Sequence, residues 1–384
     1  MSRHSVLPSA AARVLIDLGE MAETGAKPRV PKLQRAALRA VRAFSTPLLP
    51  DDYLELINPL WSTRELRGRI ERIDHVTHDA ATVLIKPGYR WEGHDAGQFC
   101  RIGVDIRGVR HWRAYSLTSE PDRPDGCISI TPKLVESGVV SPYLVRHGRP
   151  GAIVSLGGVE GDFVLPVPLP EKLLFISAGS GITPIMSMLR SLCREDCLDD
   201  AFLTHSARTP EDVIFGGELR HLDRCFPGFR LHEQHTSTMG RFAAEHLDEL
   251  CPDWREREAF ASGPGDMLDA LTEHWEREGD VERLRMERFQ PKLGTAEIGE
   301  GGTINFVSRD CVVEGDGTKP ILVCGEEAGL ELPFGCREGI CHTCVGTLCS
   351  GRVRDLRNGQ VCGQDGQSVR TCINAPEGPI EIEV

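Results

Sequence analysis

The chain lacks any long apolar run, although 40% of its 384 residues are hydrophobic. No stretch approaches the roughly 18 apolar residues that a membrane-spanning helix requires. The apolar stretch near the N-terminus, residues 14–18, contains Asp17 and is too short for a secretory signal. The chain also lacks net positive charge: 57 acidic residues outnumber 44 basic ones, and the formal net charge of −13 argues against nucleic acid as the main partner. These absences favour a soluble cytoplasmic protein, and the length predicts two or three domains.

Cysteine, in contrast, is abundant, and eight of the 14 cysteines lie between Cys311 and Cys372. A disulfide scaffold would normally be short and exported, so a cysteine-ligated inorganic centre in a reducing compartment fits better. The spacing Cys336-x4-Cys341-x2-Cys344, followed after 27 residues by Cys372, is the plant-type 2Fe–2S arrangement. The sequence therefore predicts a cluster held by these four thiolates.

A zinc site, a dithiol redox motif and a haem attachment site also remain open for these cysteines, but each fits less well. A structural zinc site normally repeats a pair of cysteines two residues apart, and the x4 spacing departs from that pattern. A dithiol redox motif at Cys341 and Cys344 would be expected to open a helix after a strand. A haem attachment site needs histidine where this chain has Val345. Cys362 is the rival of Cys372 as the fourth ligand.

The strand and helix patterns change along the chain. Short β-type segments separated by glycine and proline recur about every ten residues from Thr63 to Pro168, which is typical of a small antiparallel barrel. Strands then alternate with helices, which predicts a parallel α/β sheet. We therefore predict a multidomain protein with an N-terminal extension (1–62), an antiparallel β-barrel (63–168), an α/β parallel-sheet domain (169–290), a linker (291–300) and a C-terminal α+β domain (301–384).

Two segments of the predicted barrel suit a phosphorylated aromatic ligand. Arg113 can offer a bidentate contact to a diphosphate, and Tyr115 offers a flat face to a ring. Gly138 precedes a predicted helix with Ser141 as its N-cap and Pro142 in its first turn, and such a helix start attracts anions. Each signal is weak alone, because Ser141 as a simple cap explains the second segment equally well.

The α/β domain opens on a strand, a glycine turn and a helix, between residues 177 and 184. Gly179 and Gly181 carry no Cβ, so a pyrophosphate could approach the helix start closely. Thr183 is the predicted N-cap and Pro184 the first helical residue. The segment is not the G-x-G-x-x-G fingerprint, so its glycines alone do not identify a dinucleotide site.

Two side chains at the end of the next strand bear on the choice of nucleotide. Ser206 and Arg208 could hold a 2′-phosphate through a hydrogen bond and a positive charge, and Arg241 could add a second cation. If a nicotinamide nucleotide binds at this edge, the pattern favours NADPH over NADH. The alternative is that Arg208 only covers the end of the sheet.

The cysteine segment resembles the plant-type ferredoxin family in its sequences FGCREGICHTC (334–344) and VRTC (369–372). The resemblance implies a β-grasp fold. One position departs from the family, which usually has glycine where this chain has His342.

The preceding 63–288 region resembles the ferredoxin–NADP reductase superfamily in its R-x-Y-S, G-x-G-x-T-P and Gly-Pro segments. The resemblance implies an FAD site, with FMN as the alternative, and it implies Tyr115, Ser116 and Thr183 as the residues that position the reacting groups. The flavin-binding residues would be Arg113, Ala114, Tyr115, Ser116, Gly138, Val139, Val140 and Ser141. Those for NADPH would be Gly179, Gly181, Thr183, Pro184, Ser206, Arg208, Gly263 and Pro264.

The domain order resembles reductases that serve oxygenases, hydroxylases and fatty-acyl desaturases, which implies electron flow from NADPH through FAD and the 2Fe–2S cluster to such a partner. Two alternatives remain: a redox sensor or carrier without nicotinamide turnover, and a reductase that acts directly on a small molecule. A basic amphipathic helix predicted over residues 32–44 could contact a membrane surface, or it could pack on the flavin domain.

Overall fold

A computed structural model describes Glu55 and residues 57–136, 138–289, 299–330, 332–334, 339 and 342–384. The predicted 32–44 helix, Cys336 and Cys341 lie outside the described residues. Four separate sheets, one in each of the first two domains and two in the third, confirm the predicted multidomain architecture.

The first domain is an antiparallel sheet of six strands in the order β4-β3-β6-β1-β2-β5. The strands are β1 (Arg67–Thr77), β2 (Ala80–Pro87), β3 (Phe99–Ile106), β4 (Val109–Ser116), β5 (Ile128–Ile130) and β6 (Ile153–Glu160). A bridge between Leu117 and Ile130 joins the end of β4 to β5, so the two edges of the sheet meet. Aliphatic side chains such as Ile70, Val83 and Ile102 alternate inward along the strands and fill the interior. The predicted antiparallel barrel is confirmed.

A short helix, α1 (Val140–Pro142), continues as a π-helix over Tyr143–His147 and packs near β4. The prediction that Ser141 is the N-cap is wrong, because Val139 occupies the cap position. The Ser141 hydroxyl accepts a hydrogen bond of 3.1 Å from the Val135 backbone N–H, so it fastens the preceding loop.

The second domain is a parallel five-stranded sheet in the order β11-β10-β7-β8-β9. The strands are β7 (Leu173–Ala178), β8 (Ala201–Ala207), β9 (Phe229–His235), β10 (Glu258–Ser262) and β11 (Leu284–Glu287). The helices are α2 (Ile182–Arg194), α3 (Gly216–Cys225), α4 (Thr236–Met239), α5 (Leu247–Leu250) and α6 (Gly265–Glu278). Apolar side chains cover both faces of the sheet, as is usual for a parallel sheet packed between helices.

The start of α2 differs from the predicted one. A 3-10 turn at Gly179–Gly181 leads into the helix, and Gly181 is the cap residue. Thr183 is therefore the second helical residue and not the N-cap; its hydroxyl donates a hydrogen bond of 2.8 Å to the Ser180 carbonyl. Pro184 still lies in the first turn, where its missing N–H costs no helical hydrogen bond.

The third domain has a five-stranded sheet in the order β13-β12-β19-β14-β17 and a three-stranded sheet in the order β16-β15-β18. Its strands are β12 (Gly302–Phe306), β13 (Cys311–Gly315), β14 (Val345–Ser350), β15 (Val353–Asp355), β16 (Val361–Cys362), β17 (Gln367–Arg370), β18 (Asn374–Pro376) and β19 (Ile380–Glu383). Its helix, α7 (Ile321–Glu327), buries Ile321 and Leu322 against the core. This is a small β-rich α+β domain, as predicted.

Candidate functional site

The R-x-Y-S segment forms the last part of β4. Arg113 pairs with Ile102 of β3, and its guanidinium donates a hydrogen bond of 2.7 Å to the Trp112 carbonyl. Tyr115 packs against the barrel interior, and burial raises the pKa of its phenol, with Arg113 opposing that shift. Ser116 is buried at the strand end. Strand β4 lies beside α1, so the two segments predicted to bind the flavin, residues 113–116 and 138–141, are neighbours in the fold.

The glycine turns after β7 and β10 pack directly on each other. A Cβ on Gly181 would overlap the Ser262 carbonyl oxygen, and one on Gly263 would lie 3.3 Å from the Ala178 backbone nitrogen. Gly179 has φ of 55°, in the left-handed region that favours glycine. Both turns follow the carboxyl ends of parallel strands, which is where α/β sheets bind nucleotides.

One residue that the sequence patterns did not single out connects the barrel to this sheet edge. Glu287 ends β11 beside Ser262, and its carboxyl contacts the Ser116 hydroxyl of the barrel. Burial, strengthened by the negative charge of Asp162, raises the pKa of Glu287 to about 8, although the Ser116 contact lowers it. Its Oε2 atom is buried without a hydrogen-bond partner among the described residues. The strand-end position in the RMERF segment was the signal available in the sequence.

The two residues predicted to bind a 2′-phosphate lie at the end of β8. Ser206 is buried there, and Arg208, the second residue beyond it, is exposed. In the described part of the chain, no hydrogen bond or ion pair holds the Arg208 side chain, so its guanidinium can meet an anion. Arg241 instead pairs with Asp266 at 2.7 Å. The structure therefore leaves Arg208 as the more available cation.

Two of the four predicted cluster ligands are described, and they lie together. The Cys344 and Cys372 sulfur atoms are 3.1 Å apart, and the residues are 1% and 3% exposed. This separation exceeds the disulfide bond length of about 2 Å, so the two thiols are not bonded to each other. They are close enough to bind one metal centre together. Cys362 lies elsewhere, on β16, where it pairs with Val353.

Hydrogen bonds hold the chain around these two thiols. The Thr371 N–H and hydroxyl donate to the Cys344 carbonyl at 3.0 and 2.9 Å, and Arg370 donates to the Gly339 carbonyl at 2.7 Å. Gly339 has φ of 74°, a value that allows the loop to turn tightly around the cysteines, and His342 has φ of 55°. The residue that departs from the ferredoxin pattern therefore has a backbone conformation that favours glycine.

Comparison with known protein families matches each domain in turn. Residues 68–165 match the oxidoreductase FAD-binding domain, residues 175–273 the oxidoreductase NAD-binding domain, and residues 306–377 the 2Fe–2S iron–sulfur cluster binding domain. An NADPH oxidoreductase from Mycobacterium tuberculosis is 44% identical over 352 residues, covering 91% of this chain and 92% of that protein. The chain belongs to the ferredoxin reductase family whose flavoproteins carry a 2Fe–2S domain.

Other members of this reductase family share the same arrangement. The glycine betaine monooxygenase reductase subunit of Chromohalobacter salexigens is 29% identical over 320 residues, covering 75% of this chain and 86% of that protein. The structure of phthalate dioxygenase reductase has a TM-score of 0.57 and 19% identity, covering 83% of this chain and 98% of that one, and it supports the fold. The predicted flavin and iron–sulfur oxidoreductase is confirmed.

The described residues suit the three cofactors of this reductase family. The Glu287 carboxyl lies next to Ser116 of β4 and keeps one oxygen without a hydrogen-bond partner among the described residues. The glycine turns leave space where a Cβ would clash, and two buried thiols converge. Within the described ranges, no helix is both long and apolar enough to cross a bilayer.

Proposed function

We propose that this reductase transfers electrons from NADPH, through FAD and a 2Fe–2S cluster, to an oxygenase or hydroxylase partner. The observation that carries the proposal is the contact between Ser116 and Glu287, because it joins the flavin strand to the nucleotide-binding edge of the parallel sheet. When bound, FAD supplies the chemistry that accepts two electrons from NADPH and releases them one at a time.

The barrel residues would bind and orient the flavin. We infer that Arg113 contacts its phosphates and that Tyr115 and Ser116 lie against its ring system and ribityl chain. The backbone of residues 138–141, with Ser141 fastening the loop, would cradle the phosphates at the start of α1. Ala114 would contribute main-chain contacts only, since its side chain offers no polar atom.

The parallel sheet would bind the nicotinamide nucleotide across its two glycine turns. We infer that Gly179, Gly181 and Gly263 allow close backbone approach, because added Cβ atoms at the last two would meet neighbouring backbone. Thr183 and Pro184 fix the start of α2, and Pro264 caps the start of α6.

The exposed Arg208 and the nearby Ser206 support NADPH as the electron donor. A guanidinium without an ion-pair partner in the described residues can pair with a 2′-phosphate through charge-assisted hydrogen bonds. The M. tuberculosis relative is named an NADPH oxidoreductase, which agrees with this preference.

The cluster would be held by Cys336, Cys341, Cys344 and Cys372. The 3.1 Å approach of the last two sulfur atoms supports Cys372 over Cys362 as the fourth ligand. The hydrogen bonds of Thr371 and Arg370 would hold the segments that carry these two thiols in place around the cluster.

An oxygenase is the partner that the relatives favour, since one of them is a monooxygenase reductase subunit. From residue 297 onward, acidic residues outnumber basic residues by 14 to 7, and such a surface steers toward a basic docking patch. A fatty-acyl desaturase partner and membrane contact through the 32–44 segment remain proposals that rest on the sequence alone.

The test is the absorption spectrum of the purified protein, with the extracted flavin identified as FAD or FMN. We expect flavin bands and cluster shoulders that bleach on addition of NADPH, and NADPH-dependent reduction of cytochrome c. A colourless protein would contradict the proposal. A coloured protein that NADPH does not bleach would favour the carrier or sensor alternative.

A further inference from the structure

A row of polar side chains crosses the parallel sheet at its carboxyl edge. Strand register places Glu287, Ser262, Ser177, His205 and Glu233 side by side on β11, β10, β7, β8 and β9. Paired residues of adjacent parallel strands project from the same face, so all five side chains share one side of the sheet. We call these five residues the polar row.

The polar row lies on the sheet face that α2 and α3 cover. Two positions earlier on β7 and β8, Phe175 and Leu203 belong to the apolar core beneath those helices. Side chains two residues apart on a strand share a face, so Ser177 and His205 border the same core. Polar groups there need partners, since burial without a hydrogen bond is costly.

The centre of the polar row is hydrogen-bonded, whereas three polar atoms beside it have no partner among the described residues. The Ser177 hydroxyl and His205 Nδ1 are 2.8 Å apart, and both residues are at most 1% exposed. His205 Nε2, the Ser262 hydroxyl and Glu287 Oε2 are buried with no hydrogen-bond partner among the described residues. Adjacent strands lie about 4.8 Å apart, so single water molecules could bridge neighbouring members.

The two ends of the polar row reach different surroundings. At one end Glu287 contacts Ser116, in the predicted flavin segment. At the other end the Glu233 carboxylate accepts hydrogen bonds from Arg220 at 2.7 and 2.8 Å and pairs with His235 at 3.0 Å. The Arg220 side chain is 43% exposed, so this end opens to solvent.

The ionisable members can hold and pass protons near neutral pH. Burial lowers the pKa of His205 to about 4; Glu233 opposes the shift, and Lys133 and His235 add to it. A neutral imidazole has one N–H and one lone pair, so it can take up a proton on one nitrogen as it loses one from the other. Glu287, faced by Asp162 and Ser116, has a pKa raised to about 8 and can hold a proton and release it.

We propose that the polar row is a proton path that carries a proton from the Glu287 carboxyl, through Ser262, Ser177 and His205, to Glu233 and solvent. The overall chemistry requires one such proton: NADPH yields NADP⁺, two electrons and one H⁺, and the electrons leave singly through the cluster. The proposal rests on the proposed function and names where the remaining proton goes.

The experiment compares two variants of the polar row with one control. Ser177→Ala removes the central hydrogen bond, and His205→Gln keeps a polar side chain that cannot relay a proton. Thr204→Val is the matched control, because Thr204 is also buried on β8, has an unpartnered hydroxyl among the described residues, and projects from the opposite face. Flavin content and melting temperature first show which variants fold.

Stopped-flow mixing of the holoenzyme with NADPH and cytochrome c would follow flavin bleaching, cytochrome reduction and, with a pH-indicator dye, proton release. We expect both polar-row variants to slow proton release about tenfold or more, with a larger solvent deuterium isotope effect. Added imidazole should restore part of the rate in His205→Gln, which lacks the ring, and not in Ser177→Ala. Flavin bleaching should change less than about twofold, and the control should match the parent protein.

Unchanged proton release in both folded polar-row variants would overturn the proposed path. Equal slowing of bleaching and proton release, without imidazole rescue, would also overturn it and indicate a purely structural role. Absence of any NADPH-driven bleaching in the parent protein would instead contradict the proposed function, so the two failures are distinguishable.

Discussion

The Glu287 carboxyl provides a quantitative test of how the barrel meets the parallel sheet. Burial and the charge of Asp162 raise its pKa from 4.5 to about 8, against a smaller opposing effect from Ser116. Between those pH values the folded protein holds a proton that the unfolded chain has lost, so folding stability falls as pH rises through this window. At about 1.4 kcal/mol per pH unit the penalty above the window is at most about 5 kcal/mol. Because the Glu287 residue as a whole is only half-buried, solvent screening reduces the expected penalty to roughly 2 kcal/mol.

Glu287→Gln keeps the shape of the side chain but cannot ionise. We expect little change in the free energy of unfolding at pH about 5 and a gain of roughly 2 kcal/mol at pH about 9. Urea unfolding of the holoenzyme at both pH values, followed by the release of flavin fluorescence, measures the difference. Glu276→Gln is the control, because that carboxylate is exposed on α6. An equal gain at both pH values, or a loss at the higher one, would refute the assignment of the destabilisation to a buried charge.

Three further substitutions test the other sites. Cys372→Ser should abolish the cluster, seen as loss of bound iron and of the cluster absorption, whereas Cys362→Ser should retain both; a normal cluster in the first variant would transfer the fourth position to Cys362. Arg208→Ala should raise the KM for NADPH about tenfold, equivalent to about 1.4 kcal/mol, and leave the KM for NADH unchanged; an equal change for both nucleotides would contradict a role at the 2′-phosphate. His342→Gly should stabilise the cluster domain by about 1 kcal/mol in urea unfolding without changing iron content, because φ of 55° suits glycine; a loss of stability would show that the histidine side chain is needed.

Features that depend on short-range interactions could be predicted from the sequence. Strand periodicity and glycine turns are local, so the barrel and the parallel sheet were predicted. Helix caps depend on where a hydroxyl finds its partner. Ser141 and Thr183 were therefore both assigned as N-caps wrongly, since one hydroxyl bonds the Val135 N–H and the other the Ser180 carbonyl.

The partners of charged side chains could not be predicted from local patterns. Arg241 was expected to help hold a 2′-phosphate, but its guanidinium, in a loop, pairs with Asp266 of α6. Glu287 was not singled out, because nothing adjacent in the sequence distinguishes it from an ordinary acidic residue at the end of a strand. Its raised pKa follows from packing against the barrel, which joins segments far apart in the chain.

The sequence by itself determined the order of the three domains and the spacing of the cluster cysteines. Both depend only on residues close together in the chain or at fixed intervals along it. Only the tertiary structure decided that the Cys344 and Cys372 thiols meet, that Ser116 contacts Glu287, and that His205 aligns with Ser177 across the sheet. These contacts depend on strand order and register, which bring together residues that no short-range pattern relates.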